Sequence, residues 1–279
     1  MTSRLLCTAL ARVSASFLNS TAAAAAAASA TPISRAFATT PSSGVKWVFL
    51  GAPGVGKGTY STRVARALGV PHIAAGDLVR AEIKSGSERG NQMKETVAAG
   101  GLLPDSLVFE ILEEKLAEHA KSGQVGFVLD GFPRTVAQAS ELQAKMGIQL
   151  AVNLDLREEV LVEKCMGRRV CSKCQKGWNI ADINLPASDS KPAIVMPPLS
   201  PPEECLPLME TRADDTEPVI RKRLEIYHAE AGPVEEFYRA QGILLDFEIV
   251  AGIPETLPGL VATLKANSGA DIFVREATA

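Results

Sequence analysis

Cysteines, histidines and aromatic residues are scarce in this chain of 279 residues, which has five cysteines, three histidines and 5% aromatic residues. Five cysteines do not make a disulfide framework, and a chain that is 46% hydrophobic can bury a core without one. Long apolar runs are missing too, since none reaches the roughly 18 residues of a membrane span. The sequence therefore disfavours a small disulfide-rich protein, and we expect no membrane partner.

Acidic residues are absent from the first 76 positions, and the first one is Asp77. Alanine, serine and threonine make up 27 of residues 1–44, whose only charged side chains are Arg4, Arg12 and Arg35. This composition is typical of a transit peptide. We expect import into an organelle, with the chloroplast stroma favoured over the mitochondrion; a disordered cytosolic tail is the alternative.

The charge balance of the remaining chain is acidic. Removal of residues 1–44 takes away three arginines and changes the net charge from −3 to −6. Such a protein has no general attraction for polyanions, so we expect no nucleic-acid partner. Arginines that bind phosphate must then be concentrated locally.

A glycine-rich stretch, GAPGVGKGT at 51–59, directly follows the apolar run 45–50. A strand, a glycine loop with a lysine and then a helix form a cradle for the phosphates of a nucleoside triphosphate. Gly58 stands where a magnesium-binding hydroxyl usually follows the lysine, and Thr59 comes one residue later. We therefore expect no direct side-chain contact from this loop to magnesium.

Apolar strands and amphipathic helices alternate along most of the chain, which predicts a doubly wound parallel sheet of five strands. The segment 170–210 interrupts this alternation with seven prolines and three cysteines, and we interpret it as an inserted subdomain. The helices are predicted at 57–68, 105–116, 136–146, 158–166, 217–231, 234–240 and 254–265, with two short ones between 78 and 100 that break at Gly86 and Gly90. Strands are predicted at 45–50, 71–74, 125–129, 150–156 and 243–247.

A second motif, DGFPRT at 130–135, follows the apolar strand 125–129. It lies at the carboxyl end of the sheet, where open α/β folds bind ligands. Asp130 is placed to hold the water shell of magnesium, and Arg134 to fork onto a phosphate.

These two motifs, together with GDLVR at 76–80, GRRVC at 167–171, TRADDT at 211–216 and RKRL at 221–224, resemble the adenylate kinase family. The resemblance covers roughly 45–265. The stretches INL at 183–185 and PPLSPPEEC at 197–205 resemble the long-lid plant organellar type. The family resemblance implies a kinase domain over 45–268, with a monophosphate-binding insertion at 74–103, a lid at 167–214 and a loose tail at 269–279.

The resemblance also implies the role of each site residue. The residues implied in donor binding are Gly54, Val55, Gly56, Lys57, Gly58, Thr59 and Arg168. Those implied in acceptor binding are Ala75, Arg80, Gly131, Phe132, Pro133, Arg134, Gln138, Arg212 and Arg223. The catalytic set is Lys57, Arg134, Arg168, Arg212 and Arg223, with Asp214 and Asp215 orienting the arginines. Forked cations suit phosphoryl transfer, which relies on positioning and on neutralising charge.

Recognition of the acceptor base is where the chain departs from the family pattern. Adenylate kinases usually carry threonine at the position of Ala75, whereas the related UMP/CMP kinases carry alanine there. Thr135 and Gln138 match the adenylate side, because UMP/CMP kinases have asparagine at 135 and Gln138 matches the glutamine that reads adenine. We expect AMP as acceptor, with UMP or CMP as the alternative.

Two further departures concern the donor base and metal. Lys164 replaces an arginine that stacks on the donor base, so discrimination between ATP and GTP is expected to be looser. Cys171, Cys174 and Cys205 supply three of the four ligands of a structural zinc site, and Leu208 cannot ligate. Glu203 or Glu204 is the alternative fourth ligand, but we expect no zinc.

The sequence thus predicts a monomeric enzyme that transfers a phosphoryl group reversibly from Mg-ATP to AMP and gives two ADP, with Mg²⁺ as cofactor. A pseudoenzyme that binds adenylates without turnover is an alternative, disfavoured by the intact set of cationic residues. A zinc-ribbon nucleic-acid binder built on 167–210 is a second one, disfavoured by the missing fourth ligand.

Overall fold

The computed structural model of the protein describes residues 44–188, 191–270 and 272. The predicted transit peptide therefore lies, except for Gly44, outside the described residues. The same holds for most of the predicted loose tail. Ile272, which lies within that range, is fully buried in the core.

Five parallel strands form the main sheet in the order β10-β4-β1-β3-β2. Helices cover both faces, and this arrangement confirms the predicted fold class. The sheet strands are β1 (Lys46–Gly51), β2 (His72–Ala74), β3 (Phe127–Asp130), β4 (Leu150–Asp155) and β10 (Leu244–Glu248). The strands of the inserted segment are β5 (Arg168–Cys171), β6 (Gly177–Asn179), β7 (Ile183–Leu185), β8 (Ile194–Met196) and β9 (Met209–Glu210).

Eight α-helices lie in the described part of the chain, and none of them is both long and apolar enough to cross a membrane. They are α1 (Lys57–Leu68), α2 (Ala75–Ser85), α3 (Glu88–Ala98), α4 (Asp105–Lys121), α5 (Val136–Met146), α6 (Leu161–Met166), α7 (Glu217–Ala240) and α8 (Ile253–Ser268). α5 has its predicted bounds, because the Thr135 side chain caps its first turn and Gly147, at φ 65°, ends it.

Three predicted element bounds are wrong for identifiable reasons. α7 is one continuous helix through Pro233, because Val234 and Tyr238 beyond the proline stay buried against the core. Gly90 lies inside α3 instead of ending a helix, since it lets α3 approach the backbone of α2. β3 starts at Phe127, after Gly126 at φ 91°.

Alternate residues of β1 enter two separate hydrophobic cores. Trp47 and Phe49 belong to the first core, which α1, α6 and α8 cover. Val48 and Leu50 belong to the second, which α4, α5 and α7 cover. A β-strand that is buried on both faces reads as a continuous apolar run, as β1 does.

The inserted segment 167–214 consists of two small antiparallel sheets, β6-β5-β9 and β7-β8. The β7-β8 hairpin packs into the first core through Ile183, Ile194 and Met196. The neighbouring Pro192 carbonyl also accepts a hydrogen bond of 3.3 Å from Arg157. Part of the expected lid is therefore packed on the main body in this conformation.

The contact between α2 and α3 yields a stability prediction. A Cβ at Gly90 would lie 2.2 Å from the Glu82 carbonyl oxygen, whereas a Cβ at Gly259 of α8 would meet only Phe247 Cζ, at 3.8 Å. We expect Gly90→Ala to destabilise the protein by about 1–3 kcal/mol through overpacking. Gly259→Ala, the control, should stabilise it by up to ~1 kcal/mol through helix propensity. Urea unfolding followed by circular dichroism measures both; a Gly90→Ala protein as stable as wild type contradicts the argument.

Candidate active site

The glycine-rich loop joins the carboxyl end of β1 to the start of α1. Gly51, Gly54 and Gly56 have φ values of 130°, 88° and 107°, which residues with side chains rarely adopt. A Cβ at Gly54 would lie 2.7 Å from the Leu161 carbonyl oxygen and 2.9 Å from Cys165 Sγ. The loop therefore rests on α6 and has no space there for a side chain.

Lys57 turns back over this loop. Its Nζ donates to the Gly51 carbonyl at 2.6 Å and to the Ala52 carbonyl at 2.9 Å. Burial, with the nearby guanidinium groups of Arg134 and Arg223, lowers the pKa of Lys57 to about 8, although Asp130 opposes the change. Among the residues that the structure describes, no carboxylate forms an ion pair with this ammonium, and a bound phosphate oxygen would supply the missing negative charge.

Asp130 ends β3, directly beside β1 and the loop. It pairs with Phe49 in the register of the two strands, and a Cβ at Gly58 would lie 3.2 Å from its Oδ2. Gly58 thus faces the buried carboxylate and leaves open space there. A carboxylate oxygen beside open space fits Mg²⁺, which binds through few carboxylates and keeps several waters.

His72 contacts Asp130, and the sequence argument gave this histidine no role. Its Nε2 lies 2.8 Å from Ser61 Oγ and 3.9 Å from Asp130 Oδ2, and its Nδ1 lies 3.2 Å from Thr62 Oγ1. Burial lowers the pKa of His72 and favours the neutral ring. Sequence reasoning could have found this contact only by pairing β2 with β3 in parallel. That pairing brings residues 72–74 beside 128–130.

The predicted arginines come from four separate parts of the chain and line one cleft of about 1560 Å³. Three carboxylates hold most of them in place. Arg223 Nη1 donates to Asp214 Oδ2 at 2.9 Å, and Arg168 Nε lies 3.4 Å from Asp215 Oδ2. The remaining contacts are Arg212 Nη2 to Asp77 Oδ1 at 3.4 Å, Arg80 to the same Asp77 oxygen, and Arg134 Nε to the Gly131 carbonyl at 2.9 Å.

Crowding of positive charge shows in the pKa values of two of these arginines. Burial and Arg223 lower the pKa of Arg134 to about 10. Burial and Arg80 lower the pKa of Arg212 to about 10. Arg134 faces the cleft on one side, and protein surrounds it on the other sides. Its guanidinium group therefore loses part of its hydration and also lies near the positive charge of Arg223. The cleft is therefore built to receive anions.

Asp214 and Asp215 are the two aspartates that contact Arg223 and Arg168. Both are buried, with 8% and 5% of their surface exposed. Burial raises the pKa of Asp215 although Arg168 opposes the change. Each aspartate faces a guanidinium group of the cleft, as expected of residues that orient arginines.

A second, smaller cavity opens beside the cleft and has mainly apolar walls. It is lined by Ala75, Val79, Val97, Leu103, Val108, Phe132 and Gln138, among others. Gln138 Oε1 accepts from the Arg134 backbone N–H at 2.7 Å, and Nε2 donates to Asp105 Oδ1 at 2.6 Å. One N–H of this amide is thus left for a bound base, and Asp105 is a contact that the sequence argument missed. Pro133 and Gly131 line the main cleft next to it.

Lys164 lies on α6, the helix against which the phosphate loop packs. Its Nζ lies 3.4 Å from Met196 Sδ, and its carbonyl accepts from Asn179 Nδ2 at 2.7 Å. Burial lowers the pKa of Lys164 to about 8. Lys164 and Met196 both line the cleft.

The three cysteines of the inserted segment come together at one point. The Sγ atoms of Cys171, Cys174 and Cys205 all lie within 4.8 Å of one another, and Cys174 and Cys205 are 3.8 Å apart. N–H groups of Cys174 and Lys173 lower the pKa of the Cys171 thiol, while burial raises the pKa of Cys205 to about 12. No carboxylate or histidine of the described residues joins the three thiols.

Comparison with known proteins assigns this site to a family. A sequence model of the family described as "Adenylate kinase" matches residues 49–243. "Adenylate kinase 1, chloroplastic" of Arabidopsis thaliana is 49% identical over 223 residues, 80% of this chain and 78% of the relative. The chain belongs to the adenylate kinase family.

Two other adenylate kinase relatives differ in what their names say. "Probable adenylate kinase 1, chloroplastic" of Oryza sativa subsp. japonica is 51% identical over 220 residues, 79% of this chain and 75% of the relative. A "GTP:AMP phosphotransferase" of Plasmodium falciparum is 34% identical over 212 residues, 74% of this chain and 90% of the relative. The phosphate loop and the cationic cleft lie within the matched residues of the family model.

The loop lysine yields the first activity prediction. We expect Lys57→Met to fold normally and to lose a thousandfold or more in kcat, as removal of a phosphate-clamping charge should. Lys84→Met, on the exposed side of α2, is the control and should retain the wild-type rate. Steady-state kinetics and circular dichroism test both. Near-normal turnover of a folded Lys57→Met protein would falsify the role of Lys57.

Proposed function

We propose that the protein catalyses reversible phosphoryl transfer from Mg-ATP to AMP, giving two ADP. The observation that carries this proposal is the set of cations from separate elements that faces one cleft. Lys57 comes from the loop, Arg134 from the end of the sheet, Arg168 and Arg212 from the inserted segment and Arg223 from α7. The lowered pKa values of Lys57, Arg134 and Arg212 support a site that binds anions.

In this proposal the chemistry is mainly positioning. Lys57 and the loop N–H groups hold the donor's phosphates, while Arg80 and Arg134 hold the acceptor's phosphate. Arg168, Arg212 and Arg223 approach the transferring group from the other side and neutralise charge on its equatorial oxygens. Asp214 and Asp215 keep two of these arginines in place, which lowers the cost of organising them.

Magnesium fits the carboxylate at the end of β3. Asp130 would hold the ion through water, since Gly58 offers no hydroxyl and leaves space beside Oδ2. An ion held there would supply charge neutralisation for the phosphates that Lys57 and the arginines hold. Neutral His72 lies 3.9 Å from Asp130 Oδ2 and adds no competing positive charge there.

The acceptor assignment rests on the smaller cavity. Its apolar walls suit a base, and the buried Gln138 amide offers a hydrogen-bond donor. A pyrimidine base is smaller and would leave this amide partly unmatched, which costs binding. AMP is therefore the proposed acceptor, and UMP or CMP is the rival.

The proposed boundaries follow the contacts. Residues 74–103 form the monophosphate-binding part, whose Val79 and Met93 pack with Ile111 of α4 in a small third core. Residues 167–214 form the lid, whose closure excludes water as a competing acceptor. We take the protein to act as a monomer, because one chain supplies every cation of the cleft. We also propose the chloroplast stroma as its location, in line with the names of its plant relatives.

One assay tests the reaction. The purified mature chain is incubated with Mg-ATP and AMP, CMP or UMP, and ADP or its pyrimidine counterpart is measured by a coupled assay. We expect the highest kcat/KM with AMP. Binding of adenylates without turnover would favour the pseudoenzyme, and a higher kcat/KM with CMP or UMP would favour the pyrimidine kinase.

Ala75 yields a specificity prediction. A hydroxyl that contacts a base contributes roughly 0.5–1.5 kcal/mol, so we expect Ala75→Thr to tighten AMP binding by a factor of a few to about ten. Ala75→Val is the control, because it adds similar bulk without the hydroxyl. Titration calorimetry with AMP, CMP and UMP measures the change. Equal effects of threonine and valine would show that bulk, and not a hydrogen bond, matters at this position.

The composition of residues 1–44 yields a targeting prediction. We expect this segment to carry a fluorescent reporter into chloroplasts of plant cells and to be dispensable for activity. A segment with Arg4, Arg12 and Arg35 changed to glutamate is the control and should remain in the cytosol. Microscopy with organelle markers gives the result. A wild-type fusion that stays cytosolic refutes the prediction.

A further inference from the structure

The cysteine cluster of the lid has no part in the proposed function. Cys171 lies at the end of β5, Cys174 in the turn that follows, and Cys205 in a short 3₁₀ helix, Glu203–Leu208, that precedes β9. The three thiols are free, and Cys174 is exposed while the other two are buried. In this arrangement an oxidant can reach the exposed thiol first, and a buried thiol in contact with it can react in a second step.

The turn that carries Cys174 is held tightly. The Cys171 N–H donates to the Lys176 carbonyl at 3.0 Å, the Gln175 N–H donates to the Cys171 carbonyl at 2.9 Å, and Gln175 adopts φ 58°. The Ser172 N–H donates to the Leu208 carbonyl at 2.9 Å. The turn and the 3₁₀ helix are thus fixed side by side, which keeps Cys174 and Cys205 in contact.

We propose that Cys174 and Cys205 form a reversible disulfide, which makes the lid a site of thiol oxidation by peroxides and reduction by dithiols. Their Sγ atoms are 3.8 Å apart. A disulfide bond is about 2.05 Å long, so the two atoms need to approach by roughly 1.8 Å. Rotation of the exposed Cys174 side chain supplies this movement, so neither the turn nor the main sheet has to rearrange.

The chemistry is balanced with hydrogen peroxide as oxidant. The Cys174 thiol gives up its proton, and the thiolate attacks one peroxide oxygen. The O–O bond breaks, the released hydroxide takes up that proton, and a sulfenic acid and one water result. The Cys205 sulfur then attacks the Cys174 sulfur, loses its proton and displaces a second water. Two thiols are oxidised by two electrons, and one peroxide is reduced to two waters. A dithiol reverses the bond by exchange.

The position of the bond connects it to activity. β5 carries Arg168, and the chain after β9 carries Arg212, so the disulfide would join the two arms of the lid that hold these arginines. Gln175 and Trp178, just beyond Cys174, line the cleft. We expect the oxidised lid to adjust less readily around its substrates. The rate effect rests on the proposed function, but the disulfide itself does not.

The test treats the full chain with a small excess of hydrogen peroxide and maps the cysteines by mass spectrometry. We expect one peptide pair linked through Cys174 and Cys205, reversed by dithiothreitol. Cys171→Ser should keep the link, while Cys174→Ser and Cys205→Ser should lose it. Cys165, buried against the phosphate loop, is the internal control and should remain reduced.

Three results would overturn the proposal. They are oxidation of Cys174 beyond the sulfenic acid without a link, a link between Cys171 and Cys174 instead, and a metal ion, bound one per chain by the three thiols, that prevents oxidation. In the coupled assay, we expect oxidised wild type to lose about threefold or more in kcat, as lid-limited turnover would. Oxidised Cys174→Ser should lose none. An enzyme inactive before oxidation refutes the proposed function but leaves the mapped disulfide as a separate result.

Discussion

Mutual repulsion among the cations of the cleft is the constraint on which the rest of the active site depends. Lys57, Arg134 and Arg212 have lowered pKa values, because the surrounding protein removes part of the hydration of each cation and other positive groups lie nearby. The protein compensates only in part, with carboxylates at Asp77, Asp214 and Asp215. The positive charge that these carboxylates do not balance is left to attract phosphates. A site fully neutralised by its own acids would bind nucleotides less well.

The sheet order explains how distant residues meet at this point. β1 lies between β3 and β4, so the glycine loop after β1 is next to Asp130 at the end of β3. β2 follows at the sheet edge and leads directly into the acceptor side of the site. The sequence was enough to predict this much, because motifs at the ends of apolar strands in a parallel sheet must share one edge. Arg134 could be predicted from its place after an apolar strand, but Arg212 and Arg223 could be predicted only through family resemblance, since nothing local in RKRL or TRADDT points toward a cleft.

Contacts between distant segments were beyond what the sequence could provide. His72 lies beside Asp130 through strand pairing, and Gln138 is bonded to Asp105 across 33 positions. α7 was predicted as two helices, because a glycine and a proline at 232 and 233 are local signals for a break. Burial of Val234 and Tyr238 outweighs those signals, and only tertiary packing reveals this. The three lid thiols were recognised as a set, but their mutual distances needed the fold.

The contact of Gly54 with α6 has a mechanical consequence. The loop backbone touches the Leu161 carbonyl and the sulfur of Cys165, and α6 ends at Met166, two residues before the first arm of the lid. Interiors packed at this density transmit displacement and do not absorb it. A shift of the loop when phosphates leave must therefore push on α6 or open a void beneath it. Movement of the phosphate loop is therefore coupled through α6 to the base of the lid.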